Sequence, residues 1–189
     1  LPYAQVVPCS WTVPDAAEFD ALLVGSANAF RHGGPGLEQL TDLPVHAVGA
    51  ATAQAATDAG FVVTQQGEGG LQALLDALPP GPQRPLRLLR LSGEAHVPLD
   101  PPQHIVVETR VLYRLEPQPV DLGSLAGGAV VLLHSAGAAT HFAQEIERQH
   151  LDRSRFVLAA LGSRILADVG AGWGGLHSAA RPDDSALLE

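Results

Sequence analysis

The sequence predicts an α/β fold with parallel sheets, arranged as two similar units. Three observations carry that expectation. Residues 21–30 read ALLVGSANAF and residues 130–139 read VVLLHSAGAA, so an apolar run twice meets a small-residue turn with serine at the same place, Ser26 and Ser135. After a helix-sized gap each copy continues into a second apolar run, PVHAVGAATA from Pro44 and FVLAALGSRILA from Phe156, with Gly49 and Gly162 at matching turns. Along the whole chain, short apolar runs alternate with helix-sized segments, which is the pattern of strands in parallel sheets. Twin units of this kind are expected to face each other across a cleft, where ligands bind.

Taken in order, Phe19–Val24 is an apolar run bounded by Asp and Gly and reads as a strand. Ser26 stands at the N-cap position of a helix over Ala27–Arg31. His32–Gly36 ends it. Val45–Val48 is the next strand, and Gly49 turns into a helix over Ala50–Ala59, closed by Gly60. Phe61–Thr64 reads as a strand, Gly67–Gly70 as a turn, and Leu71–Leu78 as a helix stopped by Pro79 and Pro80. Leu86–Leu91 and the long β-branched run Ile105–Leu115 are strands. In the second unit, Ala129–Leu133, Phe156–Leu161 and Leu176–Ala180 are strands, Ala136–Gln149 and Ser163–Val169 are helices, and Asp183–Leu188 begins a last helix. That unit is short of strands, and Leu1–Val7 is expected to supply one. The resulting plan is a discontinuous α/β domain from 1–7 and 118–189, an inserted α/β domain over 13–112, and linkers at 8–12 and 113–117.

Composition narrows the function classes. An apolar share of 46% over 189 residues suffices for a packed core. No run reaches eighteen apolar residues, so no helix is expected to span a membrane. The start of the chain lacks a basic, apolar signal segment. One cysteine, Cys9, excludes an internal disulfide and a cysteine-based zinc site, and a reducing cytoplasm is the plain expectation. The chain has no Met, which suggests that an opening segment is missing. A net charge of −9 argues against nonspecific binding to nucleic acid or an anionic membrane. It does not argue against an anionic ligand, because the Debye length is only about 8 Å at physiological salt and the charges lining a site matter more than the total. The eight histidines form no i,i+4 pair and no zinc spacing, and neither a dinucleotide nor a P-loop motif is present. His134 beside Ser135 does not make a dyad, since neighbours on a strand point to opposite faces.

Four turns are candidate anion sites: Ser26-Ala27-Asn28, Gly49–Thr52, Ser135-Ala136-Gly137 and Gly162-Ser163-Arg164. Each is expected at the carboxyl end of a strand and the N-terminus of a helix, where free N–H groups and the helix dipole favour negative charge. Together they suit a ligand with several carboxylates or phosphates.

The segments DALLVGSANAF, PVHAVGAATAQAATDAGF, LRLSGEAHVPL, VVETRVLYRLEP, AVVLLHSAGAATHF, VLAALGSRILADVG and ARPDDSALLE, in this order, resemble the uroporphyrinogen-III synthase family over nearly the whole chain. The resemblance implies two flavodoxin-like domains joined by a two-stranded linker, with the chain leaving one domain to build the other and then returning. The family's usual opening strand and helix are absent. The implied reaction takes hydroxymethylbilane, a linear tetrapyrrole with eight carboxylates. Loss of water gives an azafulvene, and ring closure with inversion of the last pyrrole, through a spiro intermediate, gives uroporphyrinogen III. No cofactor and no metal are implied. The implied partner is the small-molecule substrate, with transient contact to the preceding pathway enzyme, and the implied state is monomeric.

Tyr113 matches the family's tyrosine after the last strand of the inserted domain. It is either an acid toward the departing hydroxyl or a packed tyrosine at the hinge. Thr52 matches a threonine in the family's Val-Gly-x-x-Thr-Ala turn, and its alternative is a bond to its own helix backbone. Ser26, Ala27, Asn28, Gly49, Ser135, Ala136, Gly162 and Ser163 are the remaining implied substrate contacts, although capping alone explains the serines and Asn28 also serves as a brace for its turn. Where the family commonly has Gly-Pro-Thr-Thr-Ala, this chain has Gly162-Ser163-Arg164-Ile165-Leu166. Arg164 either replaces the lost hydroxyls as a carboxylate clamp or is an exposed helix residue. Arg31, Arg90 and Arg114 are further cations that could face a ligand. The alternative to an enzyme is a non-catalytic tetrapyrrole-binding or regulatory module on the same scaffold.

Overall fold

The computed structural model describes residues 3–81 and 84–179. Nine strands form two sheets among them. A six-stranded sheet has the order β1-β6-β5-β2-β3-β4, and a three-stranded sheet has the order β7-β8-β9. The chain divides into two compact units, one comprising Leu1–Gln5 with Pro117–Glu189 and the other Val6–Glu116. We call them unit 1 and unit 2.

Unit 2 is wound around β2 (Ala21–Val24), which pairs in parallel with β3 (Val45–Val48) on one side and β5 (Leu86–Gly93) on the other. β4 (Val63–Gly67) and β6 (Ile105–Pro117) extend the sheet in parallel. At its edge lies β1 (Ala4–Pro8). Cys9 N donates to Leu112 O at 2.8 Å and Gln118 N to Tyr3 O at 2.9 Å, so β1 runs antiparallel to β6. The sheets are therefore mostly parallel. All four residues of β2 are buried, because the central strand has an apolar layer on each face. On one face Leu22, Val24, Leu89 and Leu91 pack with Phe30, Leu40, Ala56 and Phe61 from α1 (Asn28–His32), α2 (Ala50–Asp58) and the segments that follow them. On the other, Leu23 and Leu88 pack with Leu74, Leu75 and Leu78 of α3 (Gly70–Ala77) and the residue after it.

Unit 1 carries β7 (Ala129–Leu133), β8 (Phe156–Ala160) and β9 (Gly175–Ser178), all parallel, with α4 (Ala136–Arg148). Leu133, Leu158 and Ala160 pack on Ala139 and Ala143 of α4. Alternation places Val131 and Leu133 toward that helix, whereas Val130 and Leu132 are 67% and 45% exposed.

Several expectations need correction. Leu1–Val7, expected to lengthen the smaller sheet, instead contributes β1, which pairs with β6 in the larger one. Phe61 lies before β4, and the strand continues to Gly67 because its polar residues Thr64, Gln65 and Gln66 occupy the sheet's far edge. No α-helix covers Ser163–Val169. A 3₁₀ turn, Ser163–Leu166, stands there, and glycines at 170, 172, 174 and 175 leave little helix-forming sequence beyond it. Ala27, not Ser26, is the N-cap of α1, which has only five residues. The helix expected over Asp183–Leu188 lies outside the described residues.

Candidate active site

In unit 2 the carboxyl ends of the strands surround a cavity of about 400 Å³. Ser26 after β2, Val48 of β3, Gly70 and Gln72 of α3, Arg90 of β5 and Tyr113 of β6 all line it, and the segment 95–99 beyond β5 completes the wall. This is the end of a parallel sheet where ligands collect.

Tyr113 is brought there by a register shift. β5 and β6 pair residue for residue up to Ser92 and Val111, and then Gly93 stands opposite Tyr113. The ring lies over Gly93 so closely that a Cβ on that glycine would sit 2.7 Å from Cε2 and 3.1 Å from the hydroxyl oxygen. Only glycine accommodates this approach. Tyr113 is 9% exposed, packs within the same apolar cluster as Leu112 and Leu91, and has the His32 ring at 6.5 Å between centroids. Among the described residues no hydrogen bond engages its hydroxyl.

Arg90 is the cavity's buried charge. It lies between Leu23 and Thr109 in the sheet and is 5% exposed. Nη1 donates to Val97 O at 3.0 Å, and Nε is buried without a hydrogen-bond partner among the described residues. Burial pulls its guanidinium below the ordinary arginine value. The segment over it is tied down twice more. His96 Nδ1 meets Gly93 O at 2.8 Å, and Gln72 makes a reciprocal pair with the Asp100 backbone at 2.8 and 2.9 Å.

The other expected site residues are more scattered. Gly49, at φ 81°, is the N-cap of the nine-residue α2, but neither it nor the buried Thr52 lines this cavity. Ser26 lines it, accepting from Asn28 N at 3.3 Å, while Ala27 and Asn28 do not. In unit 1, Ser135 is a true N-cap, accepting from Ala138 N at 3.2 Å, with the Tyr3 hydroxyl at 3.4 Å. It lines a separate cavity of about 410 Å³ along β7, whose walls are mainly aliphatic. Ala136, Ser163 and Arg164 are exposed and Gly162 half-buried, and none of them lines either cavity. Of the four expected helix starts, only those of α2 and α4 begin helices of eight residues or more. Arg31 is exposed, and Arg114 is paired with Glu116. Read as sequence, Arg90 is only one cation among several. An arginine inside the apolar run Leu86–Leu91, near its carboxyl end, is the signal that marks it. The contributions of Gly70, Gln72 and His96 left no mark in the sequence. Among the described residues no cluster of three or more His, Cys, Asp or Glu could hold a metal, and no helix is long and apolar enough to cross a membrane.

The family model described as uroporphyrinogen-III synthase HemD matches residues 2–189. The chain belongs to the uroporphyrinogen-III synthase family. Membership makes it an enzyme, a cyclising hydro-lyase of porphyrin and heme biosynthesis that forms uroporphyrinogen III from hydroxymethylbilane. The non-catalytic alternative is not favoured. Solved structures agree in fold. The uroporphyrinogen-III synthetase of Helicobacter pylori 26695 is 19% identical with a TM-score of 0.66, covering 100% of this chain and 89% of that one. A mutant uroporphyrinogen III synthase from the extremely thermophilic bacterium Thermus thermophilus is 18% identical with a TM-score of 0.50, covering 99% and 84%. No curated protein matches the chain. The family's substrate is a small molecule.

Proposed function

We propose that the unit 2 cavity is where the reacting end of hydroxymethylbilane is dehydrated and closed, with Tyr113 as the acid. The observation that carries this reading is a largely buried phenol, unengaged by any described residue, beside a cavity at the rim of a parallel sheet. Its hydroxyl donates a proton to the departing hydroxyl of the substrate. Water leaves, and the terminal pyrrole becomes an electrophilic azafulvene. The substituted carbon of the last pyrrole attacks it. The resulting spiro intermediate opens and recloses with that ring inverted, and loss of a proton restores the aromatic pyrrole. Tyr113 takes back a proton from solvent. Most of the acceleration comes from holding the folded bilane in this geometry.

Units 1 and 2 correspond to the two flavodoxin-like domains of the family, with linkers at 8–12 and 113–117 and the first domain discontinuous. Ser26, Ala27, Asn28, Gly49, Thr52, Ser135, Ala136, Gly162, Ser163 and Arg164 supply backbone and side-chain contacts to the eight carboxylates. The protein works as a cytoplasmic monomer without a cofactor, in transient contact with the enzyme that supplies the bilane. The test is direct: the protein is given fresh hydroxymethylbilane and the products are separated. Type III isomer above the spontaneous type I background is expected, and type I alone rejects the reading.

A further inference from the structure

The chain contains no lysine, so arginine is its whole store of permanent side-chain cations. Arg84, Arg87, Arg110, Arg114, Arg148, Arg153 and Arg155 each pair with a carboxylate. Arg31 and Arg164 are exposed. Arg90 alone among the described arginines is both buried and without a carboxylate. No Asp or Glu lines its cavity, although the chain as a whole carries a charge of −9.

We infer that Arg90 is a binding residue for one carboxylate arm of the substrate, which enters the cavity under the segment 95–99 and completes the guanidinium's coordination. A buried charge without a counter-charge is costly, and a buried donor left unmade adds to that cost. An entering carboxylate removes both penalties, since the planar fork of arginine matches two carboxylate oxygens. The Val97 carbonyl is the acceptor that Nη1 uses meanwhile. Because Nε is shielded, the arm reaches it by displacing that carbonyl, while the Gln72–Asp100 pair keeps the rest of the segment anchored to α3. Arg90 and Tyr113 line one cavity. An arm fixed on the first therefore restricts where the hydroxymethyl carbon can sit relative to the second, making Arg90 a determinant of substrate register. The identity of the ligand rests on the proposed function, whereas the anion site rests on Arg90 itself.

The test combines a spectrum with kinetics on the full chain. The Nε–Hε NMR signal of Arg90, assigned by its disappearance in Arg90→Lys, is followed during titration with uroporphyrin III, an octacarboxylate. A saturable shift is expected. Arg90→Gln is expected to raise KM for hydroxymethylbilane about tenfold to a hundredfold, while kcat changes by no more than about threefold. Arg90→Lys recovers part of the loss. A signal unmoved at saturation, or an unchanged KM in a folded Arg90→Gln variant, overturns the inference. Should Arg90→Gln fail to fold, the wild-type titration decides alone. A shift in a protein that yields only type I isomer leaves the anion site standing and rejects the proposed function. Type III product with an unmoved signal does the reverse.

Discussion

The turns at Ser26 and Ser135 are almost the same sequence and do different structural work. Ser135 leads into α4, thirteen residues long, and its hydroxyl caps that helix. Ser26 leads into a five-residue helix that stops at Gly33. The difference is set downstream. After Ser135 the chain runs through Ala, Thr, Phe, Glu and Ile without glycine beyond Gly137 until the helix is complete. After Ser26 it meets Gly33-Gly34-Pro35, where Gly34 takes φ 71° and the Trp11 indole N–H donates to Gly33 O at 2.8 Å. Like turns therefore do not start like helices. The cavities beside them differ too. The one in unit 2 holds an arginine without a carboxylate, and the one in unit 1 holds a carboxylate, Glu145, already bound by Arg148. The repeated turns are alike in sequence, and the helices and cavities beside them differ.

The sharpest way to break this contrast is to remove the phenol. Tyr113→Phe is expected to lower kcat about 10²-fold while leaving product affinity nearly unchanged. Equal losses in both would reduce Tyr113 to a binding role, and steady-state kinetics beside product titration separates the cases. Gly93→Ala attacks the same ring from below. Its Cβ would stand 2.7 Å from Tyr113, so either the ring or β5 must move, at a cost of about 1–3 kcal/mol. Denaturant unfolding and kcat should both register it, and wild-type stability would show that the close approach is not a constraint.

These two residues mark how far the sequence is legible. The alternating pattern locates most strands within a residue or two, because buried parallel strands must be apolar and short. Tyr113 and Ser26 are legible as members of the cavity through family resemblance. The two helix expectations that failed share a cause. A helix over 163–169 and a cap at Ser26 are expectations drawn from the turn alone, whereas helix length depends on the residues beyond the turn, as Gly33 and Gly170 show. Arg90 is visible as an arginine but not as an unsatisfied one. Nothing local encodes that Val97, from beyond the strand, accepts from Nη1 while Nε stays bare.

Unit 1 offers an acid test of its own. Hydrogen bonds from Arg148 hold the Glu145 carboxyl at about 2, against 4.5 ordinarily; its burial opposes the shift, and Gln149 and the Val120 N–H assist it. A carboxyl held below its unfolded value stabilises the fold fully above about pH 4.5 and loses that contribution as pH falls toward 2. Trp173 stacks on Phe142 in unit 1, and the other tryptophan, Trp11, belongs to unit 2. In a Trp11→Phe background, Trp173 fluorescence should show thermal stability falling between pH 4.5 and 2. Adding Glu145→Gln should flatten that dependence, and an equal slope in both proteins would remove Glu145 as its source.

The smallest expected effects bear most directly on the twin turns. Ser135→Ala removes an acceptor from the first turn of a long helix whose residues Ala139, Ala143 and Ile146 are buried, so the whole packed helix registers the loss, at about 1 kcal/mol. Ser26→Ala removes a longer bond, 3.3 Å, to the start of a five-residue helix that already lacks a side-chain cap. Its expected cost is about 0.5 kcal/mol or less. Chemical denaturation of the two variants compares them under one condition. Equal costs would mean that the two serines do the same capping work despite unequal helices. If Ser26→Ala also weakens substrate binding while Ser135→Ala alters only stability, the serine that lines the Tyr113 cavity has been released from capping and serves the ligand instead.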